Sequence, residues 1–283
     1  MRPAILGAIA GGSSGAALDP DVSAWLVRVA AAGGTVSAPN QSAVNTFVLA
    51  CKAASIWTLF RRLNLCVGDF AASFVPLVNT SGGATDTNLN LVSGDYSESL
   101  GWQTDGSTKC INTGYTPSEA TGGLSVYLRT TQTSNTTARV PIGSRNAGST
   151  QIYRIGGNLS DLGATSGGVI SIWGENIVSP GDCPQTTGGL TATLWHGVRT
   201  ASTAARLFKA GVSVGTSSAN KTPSTPAAAL YVLAQNAAGT AASFLESGSR
   251  MAGYGIDTGM DQTQAADYYT AMQAFQTAMG RQV

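Results

Sequence analysis

From about residue 70 onward the chain is a succession of short runs of apolar, β-branched and aromatic residues, separated by clusters of Gly, Asn, Ser and Pro. Chain cut that often leaves no room for long helices, and short strands at regular spacing with turn residues between them mark an antiparallel sandwich or barrel. The candidate strands are residues 73–78, 100–104, 110–113, 124–130, 139–143, 151–156, 169–173, 190–198, 204–209 and 229–233. Alternation is strict in Leu124-Ser125-Val126-Tyr127-Leu128-Arg129 and in Leu190-Thr191-Ala192-Thr193-Leu194, so one face of each turns inward. Lys209-Ala210-Gly211 sets a turn between Arg206-Leu207-Phe208 and Val212-Ser213-Val214 and predicts a hairpin.

Two regions escape this texture. Asp19 stands before Pro20 as a capping carboxylate, and Val22, Trp25, Leu26 and Val29 recur at helical spacing until Gly33-Gly34 ends the run. Ser37 opens a second helix with Ala43, Val44, Phe47, Val48 and Cys51 on one face. Ile56, Trp57, Leu59 and Phe60 continue as a third short apolar segment, so residues 19–64 read as a helical module leaning on the β region after it. Near the other end, Asp261 and Gln264 form a capping box, and Ala265, Tyr268, Tyr269, Met272, Phe275 and Met279 line one face. That pattern predicts a C-terminal helix packed into the core of its own chain, with packing on a neighbouring subunit as the alternative. The expected organisation is an N-terminal arm over 1–18, a helical module over 19–68, and a mainly-β sandwich over 69–283 that ends in this helix.

Charged residues make up 11% of the chain, against about 25% in an ordinary soluble domain, and the formal net charge is +1. Disorder needs low hydrophobicity and high charge, so a chain that is 43% hydrophobic is expected to fold. A surface that is polar without charge suits a chain packed in an assembly or working outside cells. It supplies no attraction to phosphate backbones, and the Lys and Arg residues are scattered, so nucleic acid is not expected as a partner. No stretch approaches the roughly 18 apolar residues of a membrane span. Cys51, Cys66, Cys110 and Cys183 show neither a C-x-x-C pair nor a partnering histidine, and read as free, mostly buried thiols, with a Cys51–Cys66 disulfide as the alternative. The first ten residues resemble a secretion signal weakly; if retained, an arm bearing Arg2, Ile5 and Leu6 is suited to docking into a neighbouring subunit. Trp25 and Trp57 are the corresponding expected assembly contacts of the helical module.

The order of several segments resembles the concanavalin/laminin-G-like sandwich of bacterial and phage proteins. They are Gly101-Trp102-Gln103-Thr104-Asp105-Gly106-Ser107-Thr108-Lys109 ahead of Asn112-Thr113-Gly114, then His196-Gly197-Val198-Arg199 ahead of Leu207-Phe208-Lys209-Ala210-Gly211-Val212. Residues 229–236 followed by Gly239 and Phe244, and Met251-Ala252-Gly253-Tyr254-Gly255 leading into 261–280, complete the series. The helical preface resembles a module seen ahead of such sandwiches in virion structural proteins of tailed phages and prophages. The resemblance implies a jelly-roll sandwich in a non-enzymatic virion protein, as a tail tip, fibre or capsid-decorating component. Its implied partners are other virion proteins, copies of itself and a host-surface glycan. The rival reading is a secreted, extracellular carbohydrate-binding adhesin.

Little in the chain points to chemistry. Glycoside hydrolases flank the scissile bond with two carboxylates, which on concanavalin-like strands alternate closely, whereas Glu98, Glu119, Glu175 and Glu246 stand apart. The single histidine, His196, lies inside a candidate strand with no orienting residue in sight and reads as a packed imidazole. Some laminin-G-like domains hold calcium with loop acids, and here Asp105, Asp161 and Asp182 would be those acids. Three dispersed carboxylates fall short of the about six to eight oxygens a calcium ion takes, so no cofactor is expected. A sugar stacks on an aromatic ring while nearby polar groups take its hydroxyls. Trp173 with Asn176, and Trp195 with Arg199, are the candidate platforms, set against the tendency of tryptophan to be buried.

Overall fold

The computed structural model describes residues 17–119, 121–132, 138–157, 168–172, 189–220 and 224–283. Helix α1 (Pro20–Ala31) begins where Asp19 accepts the Asp21 N–H at 3.0 Å, and α2 (Ala38–Ala53) follows Ser37, whose side chain makes no capping bond. Helix α3 (Gln262–Ala278) starts in the expected capping box: the Asp261 N–H donates to Gln264 Oε1 at 2.9 Å, and the Gln264 N–H to Asp261 Oδ1 at 2.9 Å.

The strands form two sheets. In spatial order the first runs β13 (Val212–Ser217), β12 (Ala204–Lys209), β11 (Thr193–Ala201), β7 (Gly122–Leu128), β17 (Arg250–Asp257), β1 (Phe60–Asn64) and β2 (Val78–Asn79). Two short strands, β5 (Gly101–Gln103) and β4 (Tyr96–Ser97), extend from β17. The second runs β10 (Gly168–Ile172), β9 (Ile152–Gly157), β8 (Arg139–Arg145), β14 (Tyr231–Val232), β6 (Cys110–Asn112) and β3 (Thr87–Leu89), with β15 (Gln235–Ala237) and β16 (Thr240–Ala242) attached through β8. The β15–β8 pair is parallel. The fold is the mainly-β sandwich expected from the sequence, with a short helical region at its N-terminal end and a helix at its C-terminal end.

Two cores sit on either side of the first sheet. Between the sheets, Trp102, Leu124, Val126 and Trp195 meet Ile142, Tyr153 and Ile155. On the outer face, Tyr127, Leu194, Val198 and Phe208 meet Val44, Phe47, Tyr268 and Phe275 of the helices. With both faces covered, all seven residues of β7 are buried. The helices are therefore a third layer of one packed unit, as the sequence predicts for α3, because an open sheet with two apolar faces needs cover on both.

Three expectations are corrected. The third apolar segment of the helical region is a 3₁₀ turn over Trp57–Leu59 that runs straight into β1, which lies inside the first sheet between β17 and β2. Tertiary pairing overrides the helical spacing there. Residues 73–78 begin in a 3₁₀ turn over Ala72–Phe74 and run on without regular structure, with only Val78 entering a strand. Trp25, expected to face a neighbouring chain, is spent inside its own: it is 2% exposed and its Nε1 donates to the Val75 carbonyl at 3.0 Å. Arg2, Ile5 and Leu6 lie outside the described residues.

Cys51, Cys66 and Cys110 are free and buried, and Cys51 and Cys66 belong to different cores, which rules out the alternative disulfide; Cys183 lies outside the described residues. Burial pushes the Cys66 thiol up to about 12 and that of Cys110 up to about 11, and raises Cys51 further still. Because the thiolate is the nucleophile, these three are expected to stay silent toward Ellman's reagent at pH 8 in the folded chain. Unfolding in guanidinium is expected to release all three. Rapid labelling of the native protein beyond one thiol would contradict this packing.

Candidate functional site

The unexpected entry of residues 60–64 into the sheet places the preceding turn, and Trp57 with it, at the seam between α1 and the sheet edge. The Trp57 Nε1 donates to Asp21 Oδ2 at 2.9 Å, and Phe60 meets the ring edge-on at 6.3 Å between centroids. Lys52 Nζ sits 2.7 Å from Asp19 Oδ1, 2.6 Å from Asp21 Oδ2, and 5.9 Å from the centre of the Trp57 ring. The bond from Lys52 holds the Asp19 carboxyl below the usual carboxylate range, and the two acids raise the Lys52 ammonium in turn.

Trp57 borders two hollows. One, of about 380 Å³, lies between Asp21 and Arg28 of α1, Arg61 of β1, and Asn79 and Thr80 at the end of β2. The other, of about 370 Å³, is formed with Lys52, Ser55 and Thr58. Strand alternation divides the Arg61-Arg62 pair: Arg62 turns inward and is fully buried, while Arg61 stays partly open and its Nε donates to Glu119 Oε1 at 2.5 Å. The cleft thus combines an aromatic ring with guanidinium, amide and hydroxyl groups. Such a set has the hydrogen-bonding groups and the apolar ring face that can hold a polar ligand.

The other sequence-derived candidates fare differently. Trp195 is 1% exposed in the inter-sheet core, its Nε1 donating to the Thr191 carbonyl at 2.9 Å, so it offers no ring face to a sugar. Arg199 is 2% exposed, with Nη1 donating to the Ser202 carbonyl at 2.8 Å. Burial of both removes this pair as a surface platform. Trp173 and Asn176 lie outside the described residues, as do Asp161 and Asp182. Asp105 is occupied by its own turn: Oδ1 accepts the N–H groups of Ser107, Thr108 and Lys109 at 2.9, 2.8 and 3.1 Å, and Oδ2 accepts the Thr108 hydroxyl. Partial burial raises its carboxyl, but these bonds outweigh that and hold it well below the usual range. Among the described residues no cluster of His, Cys, Asp or Glu is arranged to hold a metal ion.

His196 has an orienting partner that its sequence neighbourhood does not show. Its Nε2 lies 2.9 Å from Asp257 Oδ2, with both side chains almost fully buried beneath α3 and the imidazole edge-on to Tyr268 at 5.7 Å. Ser125 stands opposite His196 across the β7–β11 ladder, but its hydroxyl pairs with the Tyr268 hydroxyl at 3.0 Å. The Ser, His and Asp side chains are therefore gathered in one place without the serine–histidine bond that activates a nucleophile.

What sequence reasoning misses is that Trp57 stays half-open at the border of a cleft. No sequence signal marks it: Asp19, Asp21, Arg28, Lys52 and Arg61 are spread along the chain about as thinly as charge is overall, at 11%, and gather around this tryptophan only in the fold.

No protein-family model matches the chain, and no curated protein does. Solved structures similar to it include the NanB sialidase from Streptococcus pneumoniae, at 12% identity and TM-score 0.37, covering 53% of this chain and 24% of that one. A botulinum neurotoxin type C chain is similar at 8% identity and TM-score 0.41, covering 62% of this chain and 42% of that one. The CBM40 module of the Ruminococcus gnavus IT-sialidase is similar at 12% identity and TM-score 0.37, covering 62% of this chain and 94% of the module. This chain thus spans about a quarter of the sialidase and under half of the toxin chain. Likenesses of this strength carry no assignment of ligand or activity.

Proposed function

We propose that this chain is a non-enzymatic recognition module that binds a saccharide at the Trp57 cleft, and that it serves as an attachment or assembly component of a tailed-phage virion. One observation carries the saccharide reading. Of the tryptophans among the described residues, Trp25, Trp102 and Trp195 are 2%, 0% and 1% exposed, whereas Trp57 keeps part of its ring open in a cleft of hydrogen-bonding side chains. A half-open indole anchored through its N–H presents an apolar face to a pyranose, while polar neighbours exchange bonds with the hydroxyls. The non-enzymatic part is supported by the sealed position of the His196–Asp257 pair.

The virion setting is supported by the helical preface ahead of the sandwich, by the order of the sandwich motifs, and by the sparsely charged surface. A secreted adhesin working alone would use the same cleft and differ only in its company. Mass spectrometry of purified virions separates the two: the chain present at a fixed copy number supports the first, and its appearance only in the medium supports the second.

Binding is tested on a glycan array followed by titration calorimetry with Trp57→Ala. Losing a central aromatic anchor removes about 2 kcal/mol or more, which is about thirtyfold in affinity, while the circular dichroism spectrum stays that of the parent. Unchanged affinity in the variant, or no saccharide retained by the parent chain, would overturn the reading.

A further inference from the structure

We propose that the saccharide is acidic, with its carboxylate or sulfate group meeting Arg28 while an adjoining ring lies against Trp57. This rests on the saccharide reading of the cleft and adds the chemical class of the ligand.

Charge is unevenly matched around the cleft. Arg61 is paired with Glu119, and Lys52 with Asp19 and Asp21. Asp21, the acid that borders the 380 Å³ cleft, is thereby already matched by a cation at 2.6 Å. Arg28 makes no ion pair among the described residues. Its Nη2 donates to the carbonyl oxygens of Pro76 and Leu77 at 3.1 and 2.9 Å, which fixes the guanidinium between α1 and the strand edge, and its buried Nε has no hydrogen-bond partner. The cleft wall therefore holds a firmly placed, partly desolvated cation that no described acid pairs directly and that Asp21 offsets only in part.

Such a group carries an electrostatic cost. Burial lowers the Arg28 guanidinium below its usual value, nearby Arg62 adds to that, and Asp21 opposes it only in part. An anion arriving in the cleft supplies the missing partner, and a charge-assisted hydrogen bond to guanidinium is about twice as strong as a neutral one. The spacing also fits. Asp21, which holds the Trp57 N–H, lies seven residues before Arg28 on α1, about 10.5 Å along the helix axis, on the same face of the helix, since both border one cleft. A ligand that touches both ends needs an apolar ring face and an acid group separated by the length of a short saccharide.

The test is calorimetric titration of the full chain at moderate salt with three probes of matched length: an oligogalacturonate (carboxylate), a sulfated galactan oligosaccharide (sulfate), and a neutral galactan oligosaccharide. The parent chain is expected to bind at least one acidic probe tenfold or more tighter than the neutral one, and which of the two it prefers identifies the acid group. Arg28→Gln is expected to erase that preference, weakening the acidic probes tenfold or more relative to the neutral one. Arg28→Lys, which restores the charge, keeps part of the preference, and Trp57→Ala weakens acidic and neutral probes alike. Neutral and acidic probes binding equally well, both sensitive to Trp57→Ala, would overturn the acidic ligand and leave the saccharide reading standing. Equal loss of both probe types in Arg28→Gln would also overturn it, and no binding of any probe would overturn both.

Discussion

Asp86→Ala is expected to destabilise the chain by about 3–5 kcal/mol, the range for removing one partner of a buried ion pair. In thermal unfolding this appears as a melting temperature lower by on the order of 10 °C. Arg62 and Asp86 are both fully buried, with Arg62 Nη2 and Nε at 2.8 and 3.0 Å from Asp86 Oδ1. Tyr254 donates its hydroxyl to the same oxygen at 2.7 Å, and Asn64 Nδ2 donates to Oδ2 at 2.8 Å. Alanine leaves the guanidinium inside the protein with its charge unmatched, although Asn79 Oδ1 and the Ser81 and Gly83 carbonyl oxygens still accept from it. The combined Arg62→Met and Asp86→Leu variant removes both charges and is expected to recover much of the loss. The pair also reaches the cleft, because Asn79 receives an Arg62 bond and borders the Trp57 hollow. A loss below about 1 kcal/mol in Asp86→Ala would mean that the charge finds water, which this packing denies it.

Arg281→Ala is expected to cost about 3 kcal/mol, because a fully buried guanidinium here binds backbone rather than acid. Its Nη1 donates to the carbonyl oxygens of Cys66 and Glu98 at 2.8 and 2.9 Å, its Nη2 to that of Leu65 at 2.5 Å, and its Nε to Gln276 Oε1 at 2.6 Å. The Leu65 and Cys66 carbonyls lie just past β1 and that of Glu98 just past β4, and cutting the side chain takes a donor from each, at about 1–3 kcal/mol for each buried group left unsatisfied. Lysine presents a point charge in place of a planar fork and is expected to restore little. Denaturant unfolding gives the magnitude, and hydrogen exchange is expected to quicken at 65–68 and in the last turn of α3 alone. An Arg281→Lys variant as stable as the parent would contradict the clamp.

The parts of the fold that can be read in advance are those whose cause is local. Asp261 and Gln264 cap α3 through atoms three residues apart, and the hairpin at Ala210-Gly211 follows from turn chemistry, with Ala210 and Gly211 both at positive φ. The β1 strand is not legible. It follows directly on the segment read as a third apolar stretch of the helical module, and the partners that make Arg62 an interior residue stand 24 and 192 positions away at Asp86 and Tyr254. Sequence alone misplaces Trp195 and Trp57 for a related reason. Alternation in β11 marks two faces but does not say which is open, and in the first sheet neither is, since α3 and the second sheet cover one each. Trp57 looks like one more apolar helical residue because the turn that exposes it exists only when β1 pairs with β17. The cleft is thus a property of tertiary assembly.

Trp57 is the ring expected to meet ligand, and the other described tryptophans are not. Indole N–H resonances in ¹H–¹⁵N spectra report each tryptophan separately, so titrating the chain with the best array saccharide reads this directly. The Trp57 signal is expected to move with saturation, because its N–H is bonded to Asp21 at the cleft edge, while the signals of buried Trp25, Trp102 and Trp195 hold still. Movement of the Trp195 signal with Trp57 unmoved would contradict the saccharide reading at its centre.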